Sequence, residues 1–461
     1  MATQSELPRR ALNRFGMGAR VGESQSLHDP RDWLEGQLTA NVDPMRAPEI
    51  PAPAEIGAAL RSLREAQGAG DGERVQAARR RIREIAGLEA RAALTERVRS
   101  DHPFVERLVA FWSNHLCVSI AGKPIVAPLA GLYERQVIRP HVLSRFEDMV
   151  LASARHPAML LYLDNAQSLG PNSRVGQATR RRQRRVRGLN ENYARELLEL
   201  HTLGVDGGYS QQDVQELARI LTGWTVDGVG GPQPGREPQG GEPGFRFVPA
   251  MHEPGTKVVL GKRYRDGGER EGREVIRDLC RHPSTAAFVS RKLVRHFVSD
   301  EPEERDVTAV ATVFRDTGGD LRAVARSLIH IDAAWDQAHL KFRTPQDWLI
   351  AALRAVGARD YPVQLVPMLR ALRHPLWAPA APKGFGDTRS EWADPDGLMN
   401  RAELGRTIAT QVARRGFEPE RLLDTIDMQD ASSLPQLIGD ETIERGERVA
   451  LFLSGPDFQW R

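Results

Sequence analysis

Apolar residues recur at intervals of three and four positions through most of this 461-residue chain, which is the spacing of one face of an α-helix. Between Phe104 and Cys117, for example, the large apolar side chains and His115 fall at that spacing. Breaks such as Gly68–Gly72 separate one periodic segment from the next. We therefore predict an all-α fold, a bundle-like body of many helices, with one small β-hairpin near residues 245–260. Its two predicted strands are the weakly alternating segments Phe245–Val248 and Lys257–Leu260.

The chain divides into two predicted parts. Residues 1–100 form an N-terminal segment with a charged helical hairpin, whose arginine- and glutamate-rich face is typical of a solvated surface. Residues 101–461 form the main helical domain and carry the polar motifs. Hydrophobic residues make up 40% of the chain and charged residues 27%, which is enough apolar side chain for a packed core.

Charge and hydropathy argue against several function classes. With 64 basic and 61 acidic residues the net charge is only +3, which gives no broad basic surface for nucleic acid. The six arginines between Arg180 and Arg187 lack interleaved aromatic residues, and we interpret this stretch as a solvated loop rather than a site for an anionic polymer. Two cysteines, Cys117 and Cys280, are too few for a cysteine-based zinc cluster.

The sequence also lacks the signals of a membrane or exported protein. No apolar run approaches the ~20 residues that span a bilayer. No hydrophobic signal core follows Arg9 and Arg10. We expect no membrane span and a cytoplasmic location, with the periplasm as the alternative if the chain is exported with a partner.

The segment Asn190–Trp224 holds the highest density of polar residues on core-forming elements. We predict two helices in it, Asn190–Leu203 and Ser210–Trp224, and Ser210 with Asp213 resembles a capping box at the start of the second. At about 100° per residue, four side chains of its first helix share one narrow face: Asn192, Arg195, Glu196 and Glu199. Two carboxylates one turn apart, beside an amide and a guanidinium, could hold a hard cation or act in acid–base chemistry. The alternative is the solvated side of an ordinary amphipathic helix.

These residues and two histidines form the predicted catalytic set. Glu196 and Glu199 are predicted metal ligands or general bases, Arg195 an anion clamp, and His252, on a loop, a proton carrier or ligand. His115 lies on the apolar face of its helix, where a hydrogen-bonded core histidine is the alternative. If a divalent metal is the cofactor, His115, Glu196, Glu199 and His252 are its predicted ligands, although no HExxH spacing joins them.

Seven short stretches stand out as motifs: Leu12–Gly16, Phe111–His115, His156–Asn165, Asn190–Glu196, Asp213–Trp224, His252 with Gly255 and Lys257, and Phe342–Pro345. In this order, and over nearly the whole chain, they resemble a bacterial family known as domain of unknown function eighteen-hundred. The resemblance implies an all-α body. It also implies a neighbouring gene for a second uncharacterised protein that resembles alkaline phosphatases and sulfatases. Within the motifs we predict these ligand-binding residues: Asn165, Asn190, Glu191, Asn192, Trp224 and Lys257.

The chain departs from the family pattern in two places. Many members carry export signals, and this chain shows none. Near the C-terminus, where relatives tend to show a Pro-Pro-Asn-Val-x-Gly-Trp-type loop, it has Ala380–Gly386 followed by Trp392. If that loop completes a pocket, Phe385 and Trp392 would form its aromatic wall.

Two functions follow from these observations. The first is an enzyme, a metal-dependent hydrolase or transferase, in which the face of Asn192, Glu196 and Glu199 meets His115, Asp164–Asn165 and His252 in a polar pocket. The second is a non-catalytic scaffold or escort for the phosphatase- or sulfatase-like neighbour. In that case the same polar residues are internal hydrogen-bond networks that fix helix packing.

Overall fold

A computed structural model describes residues 6–39, 42, 45, 49–181, 188–227, 229, 241–336, 341–358, 364–428 and 432–461. Helices dominate these residues, which confirms the predicted all-α class. The helices of the first half are α1 Leu7–Arg10, α2 Pro30–Gln37, α3 Pro53–Gly68, α4 Gly72–Arg99, α5 Pro103–His115, α6 Ala130–Tyr133, α7 Arg139–His141, α8 Phe146–Arg155, α9 Pro157–Tyr162, α10 Arg174–Arg181, α11 Asn192–Glu196 and α12 Gln211–Ile220. Those of the second half are α13 Glu269–Cys280, α14 Pro283–Phe297, α15 Glu304–Asp316, α16 Leu321–Ile329, α17 Pro345–Ala355, α18 Leu365–Ala371, α19 Arg389–Trp392, α20 Pro395–Ala413, α21 Leu434–Gly439 and α22 Arg445–Ser454.

Two groups of buried apolar residues hold the helices together. The larger group includes residues of α5, α8, α12 and α14 to α16. The smaller group surrounds Trp348 of α17 and includes residues of α18, α20 and α22. The N-terminal hundred residues contribute to both, Leu60 to the larger and Val98 to the smaller. The division at residue 100 stays a prediction.

The strands of the described residues form two antiparallel hairpins. β1 Trp224–Asp227 pairs with β2 Gly244–Phe247, and β3 Lys257–Val259 pairs with β4 Lys262–Tyr264. Strands therefore lie where the hairpin was predicted, but the two predicted segments pair with other partners. Leu260 and Gly261 both have positive φ (50° and 74°), the conformation of a two-residue hairpin turn, and this turn closes β3 on β4.

The predicted motif helices are shorter than expected. α12 begins after Ser210, whose side chain and that of Asp213 cap it reciprocally, as predicted. It ends at Ile220, and Trp224, predicted as the last helical residue, begins β1 instead. The preceding helix is α11, which continues as a π-helical turn over Leu197–His201. Because carbonyl groups at a helix end have no partner within the helix, the backbone oxygen of His201 is available to another element.

Only part of the arginine-rich stretch is described. Arg180 and Arg181 end α10, so the predicted loop is wrong for these two residues. The rest of the predicted loop, residues 182–187, lies outside the described residues. In the described parts of the chain, no helix combines the length and the apolar character that crossing a bilayer requires.

Candidate functional site

A cavity of about 220 Å³ lies between α4, α5, α14, the start of α17 and residues 374–391. It is smaller than the ~300–1,000 Å³ of sites for drug-sized ligands, and therefore suits a small molecule rather than a polymer. α5 belongs to the larger apolar group and α17 to the smaller one. The cavity thus lies where the two groups meet.

The stretch Ala380–Gly386 closes one side of the cavity. Asn114 at the end of α5 holds it: the side-chain amide donates to the Phe385 carbonyl (2.9 Å) and accepts from the Phe385 amide (2.8 Å). Gly384 has a φ of +81°, and a Cβ there would lie 2.5 Å from the Asn114 carbonyl oxygen, so only glycine fits. Phe385 lines the cavity, whereas Trp392 packs behind it, with ring centroids 6.2 Å apart.

His296 and Asp387 form an oriented pair in the cavity wall. His296 Nδ1 lies 2.9 Å from Asp387 Oδ2, and because a carboxylate only accepts, Nδ1 must donate. Nε2 of the neutral ring then keeps a lone pair, and this buried atom has no hydrogen-bond partner among the described residues. Burial lowers the pKa of His296 and outweighs the opposing effect of Asp387. At neutral pH this side chain is therefore an uncharged base.

His115 and Lys292 form a second pair on the same cavity. His115 Nε2 lies 3.2 Å from the backbone oxygen of His201, to which it can only donate. Its Nδ1 therefore accepts from Lys292 Nζ at 3.0 Å. Burial and the charge of Lys292 hold the pKa of His115 well below its usual range, and burial lowers the pKa of Lys292 to about 8.

The cavity wall carries positive charge without acidic partners. Lys292 and the exposed Lys383 both line it, and neither makes an ion pair with any described residue. Three acidic groups lie in the wall. Asp387 is bound to His296, Asp347 lies against Arg107 (3.1 Å) and Arg461, and Glu391 accepts from the backbone amides of Asp387 and Thr388. The arrangement favours a small anionic ligand.

Cys117 also lines the cavity but is not set up as a nucleophile. Its thiol donates to the Pro382 carbonyl (3.1 Å). Burial raises its pKa to about 12, and the charge of Glu196 contributes in the same direction. Because the thiolate is the reactive form, the imidazoles and the amine carry the chemistry available here.

The face predicted to be catalytic lies beside the cavity and outside its wall. Arg195 bridges Glu199 (3.4 Å) and Glu191 (3.8 Å) and also donates to Gln211. Glu196 is partly buried; burial first and Glu199 second raise its pKa, and Arg195 opposes them. The charge of Glu196 raises the pKa of Cys117, and this effect links the predicted face to the cavity. Asn192 is exposed.

His252 belongs to a separate buried cluster. Its Nδ1 donates to the Thr222 carbonyl (2.9 Å), and its Nε2 lies 2.6 Å from Glu271 Oε1. Lys257 Nζ donates to the same Glu271 oxygen (2.8 Å). Three potential metal ligands of this cluster come within 4.8 Å of one another: His252, Asp266 and Glu271. They are the one such group among the described residues. The ammonium of Lys257 is the cation there.

The four predicted metal ligands are thus not gathered into one site within the described part of the chain. His115 uses both ring nitrogens for His201 and Lys292, and would have to release one to bind a metal. None of its hydrogen-bond or ring partners is shared with His252. Metal binding by these residues stays a prediction.

The predicted ligand-binding residues mostly hold the backbone of neighbouring segments. Asn165 donates to two carbonyls at the end of α12 and in β1, and Asn190 donates to two carbonyls after α9. Trp224 is buried against Gly272 of α13. None of the six lines the cavity: Asn165, Asn190, Glu191, Asn192, Trp224 and Lys257.

Lys292, His296 and Asp387 lie outside every sequence motif. A signal for the first two exists: they are four positions apart on one helix, α14, and lysine is rare in this arginine-rich chain, with only six in all. Asp387 gives no local signal, because it meets His296 from 91 positions away.

A family model described as "Protein of unknown function (DUF1800)" matches residues 10–460. No curated protein and no solved structure matches the chain. The match covers nearly the whole chain, and its description gives no activity.

Proposed function

The chain belongs to the DUF1800 family of unknown function, and we propose that it is an enzyme whose active site is the cavity between α5, α14 and residues 374–391. The reaction is acid–base catalysis of a hydrolysis or group transfer on a small anionic substrate. The observation that carries this proposal is the His296–Asp387 pair, a neutral imidazole oriented by a carboxylate in the wall of a small cavity.

In this proposal His296 is the general base. Its Nε2 takes a proton from a water or hydroxyl nucleophile as the nucleophile attacks, and Asp387 stabilises the imidazolium that forms. Lys292 and Lys383 offset the negative charge of the substrate. A positioned base of this kind contributes about 10²–10⁴ to the rate.

Replacing His296 by glutamine tests the proposal. Wild-type protein is assayed on chromogenic p-nitrophenyl esters of carboxylic, phosphoric and sulfuric acids, and we expect His296→Gln to lower turnover by about 10²–10⁴-fold. Because the pKa of His296 is lowered, the base form persists in mild acid, and the acidic limb of the wild-type pH–rate profile should lie below pH ~6.5.

His330 provides a matched control. It also contacts a carboxylate, with Nε2 2.9 Å from Glu35 Oε1, but it is exposed and lies outside the cavity. His330→Gln should turn over the esters at the wild-type rate. Equal rates for wild type and His296→Gln, or an acidic limb above pH ~6.5, would contradict the proposal.

A divalent-metal cofactor with His115, Glu196, Glu199 and His252 as its ligands is a separate proposal drawn from the sequence, and it requires these residues to come closer together than they do in the structure. Elemental analysis of protein purified without chelator tests it. We expect bound metal to fall when Glu196 is replaced by glutamine. A metal-free protein, or metal content that Glu196→Gln leaves unchanged, would count against these ligands.

A second candidate function is the scaffold or escort of the phosphatase- or sulfatase-like neighbour. The hydrogen bonds from Asn165 and Asn190 to backbone carbonyls favour a structural role for the motif residues. Co-purification of the two proteins, together with equal ester turnover by wild type and His296→Gln, would support this function over catalysis.

A further inference from the structure

Lys292 differs from the other lysines of the chain in its partners. Four of the other five make ion pairs with carboxylates, and the fifth, Lys383, is exposed: the pairs are Lys123 with Asp164, Lys257 with Glu271, Lys262 with Asp278, and Lys341 with Asp300. Lys292 has no such pair among the described residues. Its Nζ instead donates to a neutral imidazole nitrogen.

The surroundings of Lys292 suit an amine that reacts. Nζ lies 5.6 Å from the centre of the Phe288 ring and 3.0 Å from His115 Nδ1. The ring nitrogen is a proton acceptor placed beside the amine, because the other nitrogen is committed to the His201 carbonyl. A desolvated lysine next to a base is one of the ways in which proteins activate an amine nucleophile.

We propose that Lys292 forms an imine with a small carbonyl compound that carries an acidic group, such as a 2-oxo acid; the inference rests on the cavity being the active site. The two lysines fit such a substrate. The uncharged amine of Lys292 attacks the carbonyl, and the ammonium of Lys383 offers a positive charge to the carboxylate.

The step balances without an oxidant or a cofactor. The Nζ lone pair attacks the carbonyl carbon, a C–N bond forms, and the carbonyl electron pair moves to oxygen. His115 Nδ1 takes a proton from the nitrogen and returns it to that oxygen. When the second amine proton follows the same route, the C–O bond breaks, water leaves and the C=N bond remains.

Reductive trapping tests this proposal on the full chain. The protein is incubated with glyoxylate and cyanoborohydride at pH 7.5, and labelled lysines are located by peptide mapping. Lys262 is the internal control, since it is exposed and held by Asp278. We expect Lys292 to be labelled at least tenfold faster than Lys262, and an aldehyde of similar size without a carboxylate to label it more slowly.

The variants Lys292→Arg and Lys262→Arg complete the design. The first should abolish the fast labelling and the second should leave it unchanged. Labelling of Lys292 no faster than that of Lys262, or fast labelling that survives Lys292→Arg, would overturn the imine. If that occurs while ester turnover still depends on His296, the proposed active site stands and only the imine fails. If Lys292 is trapped selectively but ester turnover does not depend on His296, the imine stands and the general-base role of His296 fails.

Discussion

Replacing Asp347 by asparagine is expected to lower the free energy of unfolding by about 3–5 kcal/mol, the usual effect of breaking a buried ion pair. Asp347 lies at the start of α17 and joins it to α5 through Arg107 (3.1 Å), while its second oxygen lies 3.3 Å from Arg461 Nε. All three side chains are buried. A neutral amide leaves two buried guanidinium groups without their shared counter-charge.

Urea unfolding at several pH values checks this prediction. Burial by itself raises the pKa of Asp347, but Arg107 and Arg461 hold it well below its usual range. The carboxylate therefore stabilises the fold fully above the pH where it titrates in the unfolded chain, ~3.9. This contribution is lost as the pH falls towards the pKa that Asp347 has in the folded protein. The difference in the free energy of unfolding between wild type and Asp347→Asn should be constant from pH 5 to 8 and should decrease below pH ~4.

Asp332 provides the surface control for this measurement. Its side chain is fully exposed and lies 3.7 Å from Arg31. Asp332→Asn should leave the unfolding midpoint unchanged, because exposed pairs contribute little. If Asp347→Asn lowers the free energy of unfolding by less than about 1 kcal/mol, or by an amount that does not decrease in acid, the ion pairs of Asp347 do not hold these helices together.

Replacing Asp387 by asparagine is expected to lower ester turnover by about 10²–10⁴-fold, as for loss of the base itself. Burial raises the pKa of Asp387, but His296 and Lys341 outweigh it and lower the pKa to about 2. The carboxylate is therefore charged throughout the working range. An amide neither fixes the Nδ1 proton of His296 nor stabilises the imidazolium.

Turnover and the pH–rate profile together distinguish positioning from a structural role. Asp387 raises the pKa of His296, so removing its charge should move the acidic limb to lower pH. Glu35→Gln alters the exposed pair of Glu35 with His330 and is the matched control. It should change neither the ester turnover nor the acidic limb of the pH–rate profile. Wild-type turnover by Asp387→Asn, with an unchanged limb, would remove Asp387 from the site.

The fold class was predictable because its signals are local. Helical periodicity and the Ser210–Asp213 cap act within a few residues, and both predict the structure correctly. Strand pairing was less predictable, because it depends on which segments meet in space. The turn at Leu260–Gly261 gives β3 a nearer partner than the one predicted.

The site was harder to predict than the fold for the same reason. Several polar side chains of the Asn190–Trp224 segment bind partners within the same segment, as in the Arg195–Glu199 pair. The cavity pairs join residues 91 and 177 positions apart, and no sequence pattern spans such distances. Two of the predicted residues, His115 and Phe385, lie in the cavity wall, and the partner of His115 there is a lysine outside every motif.

We propose that this protein performs its chemistry in the cavity that holds His296 and Asp387. The most direct test incubates the wild type, His296→Gln and His330→Gln with a cell extract of small organic acids and follows their consumption by mass spectrometry. We predict that wild type and His330→Gln consume the same small anionic compounds and that His296→Gln leaves them untouched. Equal consumption by His296→Gln would contradict the claim.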